Sequence, residues 1–218
     1  MGMGVELVPR DRHALHDAYA LAVILAAALA VTHTVRWEVP LASAIMFVSL
    51  LWASSLSVIV LRTTVVVMML PVMMVCIIKY DAGTSAILAM LGSISIQEFR
   101  IIRENNPPYL ATLKLLLNRA ITALCAICAW FAFHAIWPGR DVALGDPRFA
   151  MATVVLGLVW VTVSATIVSF QIMLSEPVFR FRIDPSVVLS SGSSTLPSLI
   201  MGLMAAAMYE YGGFAAFG

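Results

Sequence analysis

Long apolar segments with few charged residues occupy most of this sequence. A helix needs about 20 residues to cross a hydrocarbon core of about 30 Å, and the segments 15–35, 110–137 and 149–174 reach that length. Hydrophobic residues make up 61% and charged residues 11% of the chain, against roughly 45–50% and about 25% in soluble proteins. A soluble fold cannot bury so much apolar surface. The sequence therefore predicts an all-α, polytopic membrane helix bundle.

The sequence predicts one domain and no enzyme. We expect a polar N-terminal segment over residues 1–13 and a single membrane domain over residues 14–218. No polar stretch approaches the size of about 50 residues at which domains begin, and motifs for phosphate binding, metalloproteolysis or a nucleophile elbow are absent. We therefore expect no catalytic residues and no cofactor. The net charge of +1 indicates no nucleic-acid partner, so the expected partners are the lipid bilayer and other protein chains.

Seven apolar segments predict six or seven spans, because one or two of the segments are too short to cross fully. The run over residues 40–78 is too long for one span, since a straight helix of that length would be about twice as long as the hydrocarbon core is thick. Arg62, Thr63 and Thr64 interrupt it, among β-branched residues that form helices poorly. We expect a short extended or re-entrant segment near residues 54–64, covered by protein or lining a cavity.

The polar connections predict a loop and an orientation. The segment 97–108 carries mixed charges and ends in two prolines, and we expect it to be a surface loop. With seven crossings and a cytoplasmic N-terminus, the inner loops hold about twice as many basic residues as the outer loops, which is the distribution that the positive-inside rule favours. We therefore expect the N-terminus to be cytoplasmic.

Asn118 and Arg119 are the main candidate site residues. Lys114 and Thr122 lie four residues before and after Asn118, so these three form one polar stripe on a helix. A position ten residues inside a span lies about 15 Å deep, where a guanidinium costs about 2.5–3.5 kcal/mol unless it is paired. We predict a ligand site or polar intramembrane site at these four residues, with Glu98 as the acidic partner by topology. The alternative is a span that starts later, so that Arg119 extends to the headgroups.

Three groups of residues imitate metal or redox motifs. Cys125 and Cys128 form a C-x-x-C pair, but the pair lies in an apolar span without a second pair of ligands. The methionine-rich segment 68–74 has ligands suited to Cu(I), although methionine is also an adaptable core residue. His16 and Asp17 form an HD pair that lacks the further ligands a metal requires. We expect packing or chance in each case and no metal site.

Short motifs occur in a characteristic order along the chain. They are LSVIVLRTTVVV at residues 56–67, LGSI at 91–94, PPY at 107–109, QIMLSEP at 171–177 and YEYGGFAAF at 209–217. In this order the chain resembles the N-terminal multi-pass membrane domain of bacterial HD-GYP-type signalling phosphohydrolases, which are associated with cyclic-di-GMP turnover. That domain is in turn similar to the substrate-binding subunits of energy-coupling-factor vitamin transporters.

The resemblance implies a non-catalytic sensor or anchoring module in the bacterial cytoplasmic membrane. Such a module would bind a small ligand or partner helices and pass a conformational change to a cytoplasmic domain or partner. In the family a catalytic HD-GYP domain follows, whereas this sequence ends at Gly218, so we expect no hydrolysis of cyclic dinucleotides. Two alternatives are a substrate-binding subunit of a vitamin-type transporter and an accessory subunit of a larger membrane complex.

Overall fold

The computed structural model describes residues 9–56, 59–61, 64–66, 69–93, 96–175 and 200–212, and these are largely helical, as predicted. The elements are α1 (Pro9–Thr34), α2 (Leu41–Leu56), β1 (Ile59–Leu61), β2 (Thr64–Val66), α3 (Met69–Lys79), α4 (Ala82–Gly92), α5 (Ile96–Asn105), α6 (Pro108–Ile136) and α7 (Pro147–Ser175). Residues 200–212 are also helical. Helix α1 already begins within the segment 1–13 that the sequence analysis separated as a polar region.

Three helices are long and apolar enough to cross a membrane. They are Ala14–Thr34 of α1, Pro108–Ile136 of α6 and Pro147–Leu174 of α7, and their length and composition indicate membrane association. Helix α4 is apolar but has only 11 residues, about 16 Å of rise, which is half of the hydrocarbon thickness.

The apolar run over residues 40–78 is interrupted where the sequence predicts an interruption. Helix α2 ends at Leu56, the strands β1 and β2 pair antiparallel with Leu61 opposite Thr64, and α3 begins at Met69. Of the three residues singled out there, Arg62 and Thr63 lie outside the described residues, and Thr64 opens β2. The backbone on both sides of them is therefore extended, which was one of the two predicted alternatives.

The prediction of a surface loop over residues 97–108 is wrong, because most of this segment forms α5. The Nδ2 atoms of Asn105 and Asn106 each donate a hydrogen bond of 2.8 Å to a carbonyl four residues earlier, which satisfies acceptors that a helix end leaves open. Pro107 and Pro108 then separate α5 from α6, and Pro108 occupies a favourable first helical position. In this segment the mixed charges belong to the exposed face of a helix, and the two prolines follow the end of that helix.

Helix α6 is the centre of the bundle and packs against α1, α4 and α7. Its inner side is apolar and small, so neighbouring helices approach closely. The largest fully buried side chains come from α6 itself and from several helices around it, among them Phe47, Met73, Met74, Leu88, Leu117, Phe133 and Leu156.

One end of the bundle is fixed by contact between backbones. A Cβ atom at Gly83, in the first turn of α4, would overlap the backbone of Thr34 and Val35 at the end of α1. Only a glycine permits this approach. The first turn of α4 is therefore in backbone contact with the end of α1, and this contact fixes the register between the two helices.

Candidate functional site

A cluster of polar side chains lies where α4 ends and α5 begins. Arg119 of α6 donates hydrogen bonds through Nη1 to the carbonyl oxygen of Ser93 and to its Oγ, the latter at 2.6 Å. Its Nη2 donates to Oε2 of Glu98, while Asn118 Nδ2 donates to Glu98 Oε1 at 2.7 Å. We call these four residues the Arg119 cluster. The predicted pairing of Arg119 with Glu98 is confirmed.

Local backbone structure explains why an arginine binds at the junction between α4 and α5. Ser93 is the C-cap of α4, and its N–H donates to the Ala89 carbonyl at 2.9 Å, whereas its own carbonyl has no intrahelical partner. The guanidinium supplies donors to that carbonyl. Glu98 lies in the first turn of α5, where the helix dipole favours a carboxylate. The cluster therefore joins two helix ends to the middle of a third helix.

The cluster is electrically neutral and largely shielded from solvent. The side chains of Arg119 and Glu98 are 14% and 24% exposed. Arg119 follows Pro108, the first residue of α6, by 11 positions, which is about 16 Å along the helix. Pairing lowers the cost of placing a charge among the packed helices. It also makes each partner dependent on the other, because loss of either one leaves a shielded charge uncompensated.

The structure brings only two of the four predicted site residues into the cluster. Lys114 Nζ donates to Asn106 Oδ1 at 2.7 Å, in the turn between α5 and α6. Thr122 Oγ1 donates to the Asn118 carbonyl at 3.0 Å, which is a bond within its own helix. The prediction used the i,i+4 spacing within one helix. It therefore did not include Ser93, whose contact with Arg119 depends on where α4 ends.

An apolar groove lies beside the cluster, between α1, α4 and α6. Its volume is about 370 Å³, and Arg119 forms part of its wall. Small side chains at Ala27, Ala28 and Ala120 leave the space open, whereas Leu116 and Met90 bound it. The lining is otherwise apolar apart from Thr32 of α1. The groove and the polar cluster therefore share one residue, Arg119.

A second polar layer lies at the opposite end of α4. Buried Asp81 is the N-cap of α4 and accepts hydrogen bonds from the backbone N–H groups of Thr84 (2.9 Å) and Arg36 (3.2 Å), and from Thr84 Oγ1 at 2.5 Å. Trp37 N–H donates to Thr84 Oγ1 at 3.2 Å. These bonds hold Trp37 at a positive φ of 49°, which is uncommon for a bulky residue. No pattern in the sequence indicates this layer, because its contacts with Arg36 and Trp37 join residues 45 or more positions apart.

Aromatic and charged side chains connect the helix over residues 200–212 to the end of the bundle at which Asp81 lies. The Tyr80 and Tyr209 hydroxyl oxygens are 3.4 Å apart, Lys79 forms an ion pair with Glu210, and Trp130 Nε1 donates to the Tyr80 carbonyl at 2.7 Å. Burial and the bond to Tyr209 raise the pKa of Tyr80 above its ordinary range.

Cysteines and methionines of the metal-like motifs pack in the core. Cys76, Cys125, Met73 and Met74 are buried within the apolar cluster, and Cys128 is half-buried. Among the residues that the structure describes, no three histidine, cysteine, aspartate or glutamate side chains are arranged to hold a metal ion.

Comparison of the chain with protein-family models, with curated proteins and with solved structures finds no match. Function therefore has to be argued from the Arg119 cluster and the groove beside it.

Proposed function

We propose that this chain is a non-catalytic membrane module, a sensor or anchor, that binds a small apolar molecule in the groove between α1, α4 and α6. The observation that carries the proposal is that one residue, Arg119, belongs both to the groove and to the polar cluster. The volume of about 370 Å³ falls within the range of about 300–1,000 Å³ of small-molecule sites. The predominantly apolar lining suits a hydrocarbon-like ligand.

Occupancy of the groove would act on the break between α4 and α5. Ile87, Met90 and Leu91 of α4 line the groove, and the carbonyl at the end of α4 is held by Arg119. A ligand that displaces α4 or the arginine therefore changes the contacts of Ser93 and Glu98. Helix α5 begins at this point, so the change would be passed along α5 to the turn before α6.

The membrane and its sidedness are also part of the proposal. We place the chain in the bacterial cytoplasmic membrane with a cytoplasmic N-terminus, in six or seven crossings, on the basic-residue distribution and on the resemblance to the membrane domain of HD-GYP-type proteins. The three long apolar helices support a membrane location. A cytoplasmic domain or partner chain would receive the conformational change.

A groove-filling variant tests ligand binding. Ala28 lines the groove on the exposed side of α1, whereas Ala26 is exposed on the same helix and lies outside the lining. We expect native mass spectrometry of the detergent-purified chain to show a bound apolar small molecule, which Ala28→Phe loses and Ala26→Phe retains.

The other possible occupants give different spectra. A chain that carries no small molecule, with equal spectra for both variants, contradicts the proposal. A protein chain that is released by Ala28→Phe alone would instead identify the groove as a helix-docking site, as expected of an accessory subunit. A water-soluble vitamin-like ligand in the groove would favour the transporter alternative.

A further inference from the structure

The groove between α1, α4 and α6 follows the second half of the membrane-spanning part of α1. That part runs from Ala14 to Thr34, a length of about 30 Å, and the groove is lined by α1 residues from Ile24 to Thr32. Ile24 lies at the middle of the span and Thr32 within one turn of its end. They are about 12 Å apart along the helix axis, close to half of a hydrocarbon core of about 30 Å. The groove therefore has the depth of one leaflet.

The surface of the groove suits a hydrocarbon chain. Among the described residues that line it, Arg119 and Thr32 contribute only carbon atoms to this surface, because the guanidinium is directed to the polar cluster. A polar group placed in the groove would lose hydration without gaining a hydrogen bond. Two of the lining residues, Leu91 and Leu116, are 47% and 50% exposed, so the groove is open to the surface of the bundle. A lipid can therefore enter it sideways from the bilayer.

A cation and an aromatic side chain lie beyond the outer end of the groove. Arg36 and Trp37 follow Thr32 by four and five positions, and both are exposed. Their backbone N–H groups donate to Asp81 and Thr84, at 3.2 Å in each case, so the connection that carries them is held in place. Within the part of the chain that the structure describes, the Arg36 guanidinium has no hydrogen bond or ion pair. The outer end of the groove therefore adjoins a cation that is available to a ligand.

We propose that the groove binds a phospholipid from the leaflet that surrounds the end of α1, with one acyl chain in the groove and the phosphate at Arg36. The inference rests on the proposed function and names the ligand class of the same groove. Arginine donates paired hydrogen bonds to phosphate and attracts anionic headgroups at a membrane surface, and tryptophan is enriched at that level. The acyl chain extends from there to the level of Arg119, so lipid occupancy is felt at the junction between α4 and α5.

Titration of the lipid-free chain in detergent, followed by native mass spectrometry, tests this assignment. Two probes have the same palmitoyl and oleoyl chains, namely a phosphatidylglycerol and a diacylglycerol that lacks the phosphate. Ala28→Phe fills the groove, and Arg36→Gln removes the cation but keeps the backbone N–H. The controls are Ala26→Phe, outside the lining, and Arg140→Gln, at an exposed arginine that is paired.

We expect the unsubstituted chain and both controls to bind one phosphatidylglycerol about fivefold more tightly than the diacylglycerol, since an arginine near the membrane surface attracts an anionic headgroup. Arg36→Gln should bind the two probes with equal Kd, and Ala28→Phe should bind neither. Equal affinity of the unsubstituted chain for both probes, or a preference that Arg36→Gln retains, contradicts the phosphate contact. Binding that Ala28→Phe retains places the lipid outside the groove and also overturns the inference.

The mass of the molecule that co-purifies with the chain separates this inference from the proposed function. A molecule that is not a phospholipid, and that Ala28→Phe alone loses, contradicts the inference and leaves the proposed function intact. A chain that carries no molecule and binds neither probe contradicts both.

Discussion

At the scale of single residues, two carboxylates are responsible for the connections at the two ends of α4. Glu98 accepts hydrogen bonds from Asn118 and Arg119 at the far end. Asp81 caps the near end and binds the backbone of the connection after α1. Glu98 accepts from two side chains of α6, whereas Asp81 accepts from α4 and from the connection after α1. Loss of either carboxylate would leave donors without these acceptors in a poorly hydrated region.

Replacement of Asp81 tests the nearer of these contacts. We expect Asp81→Ala to lower the free energy of unfolding by about 1–3 kcal/mol, because it removes an N-cap and leaves the Arg36 N–H unpaired. Asp81→Asn retains an acceptor for the cap and should lose less. The measurement is unfolding of the purified chain in detergent, with Asp141→Ala in an exposed loop as the control. Equal stability of Asp81→Ala and Asp141→Ala would show that the cap contributes nothing.

At the scale of elements, α4 and α5 are two short helices whose junction faces the middle of a long one. The apolar segment up to Gly92 and the charged segment after it were both visible in the sequence. The sequence does not show that the two segments meet at Ser93, or that the second segment is a helix. Ser93 acquires its role because α4 ends where the carbonyl of its C-cap residue meets Arg119.

The packing of α4 against α1 predicts the effect of a single methyl group. Gly83→Ala should lower the free energy of unfolding by about 1–3 kcal/mol through overpacking, since the added Cβ meets the backbone of Thr34 and Val35. Helix propensity alone would predict that alanine raises the free energy of unfolding by up to about 1 kcal/mol. The sign of the measured change therefore distinguishes overpacking from helix propensity. Gly145→Ala is the matched control, because nothing lies within 4 Å of a Cβ there. A neutral or stabilising Gly83→Ala would mean that α1 and α4 are not in backbone contact.

At the scale of the whole molecule, the sequence predicts the features that depend on composition and on the position of a charge within an apolar segment. The helical class, three long apolar helices and the interruption after Leu56 follow from segment length and charge. The Glu98–Arg119 pairing follows because an arginine deep in a span needs an acidic partner. The groove and the layer around Asp81 depend on contacts between distant segments, such as Arg36 with Asp81, and no local pattern encodes the register between helices.

The whole account depends on Arg119 being paired inside the bundle instead of extending to the headgroups. A double-mutant cycle of Arg119→Leu and Glu98→Leu measures this directly by detergent unfolding. The exposed pair Arg140–Glu38, at 2.8 Å with side chains 50% and 43% exposed, serves as the matched control. We predict a loss of about 3–5 kcal/mol for Arg119→Leu, since it removes the guanidinium that pairs with the Glu98 carboxylate, and partial recovery in the double variant. The control pair should couple by about 0–1 kcal/mol. Equal and negligible losses for Arg119→Leu and Arg140→Leu, without coupling to Glu98, would contradict the account.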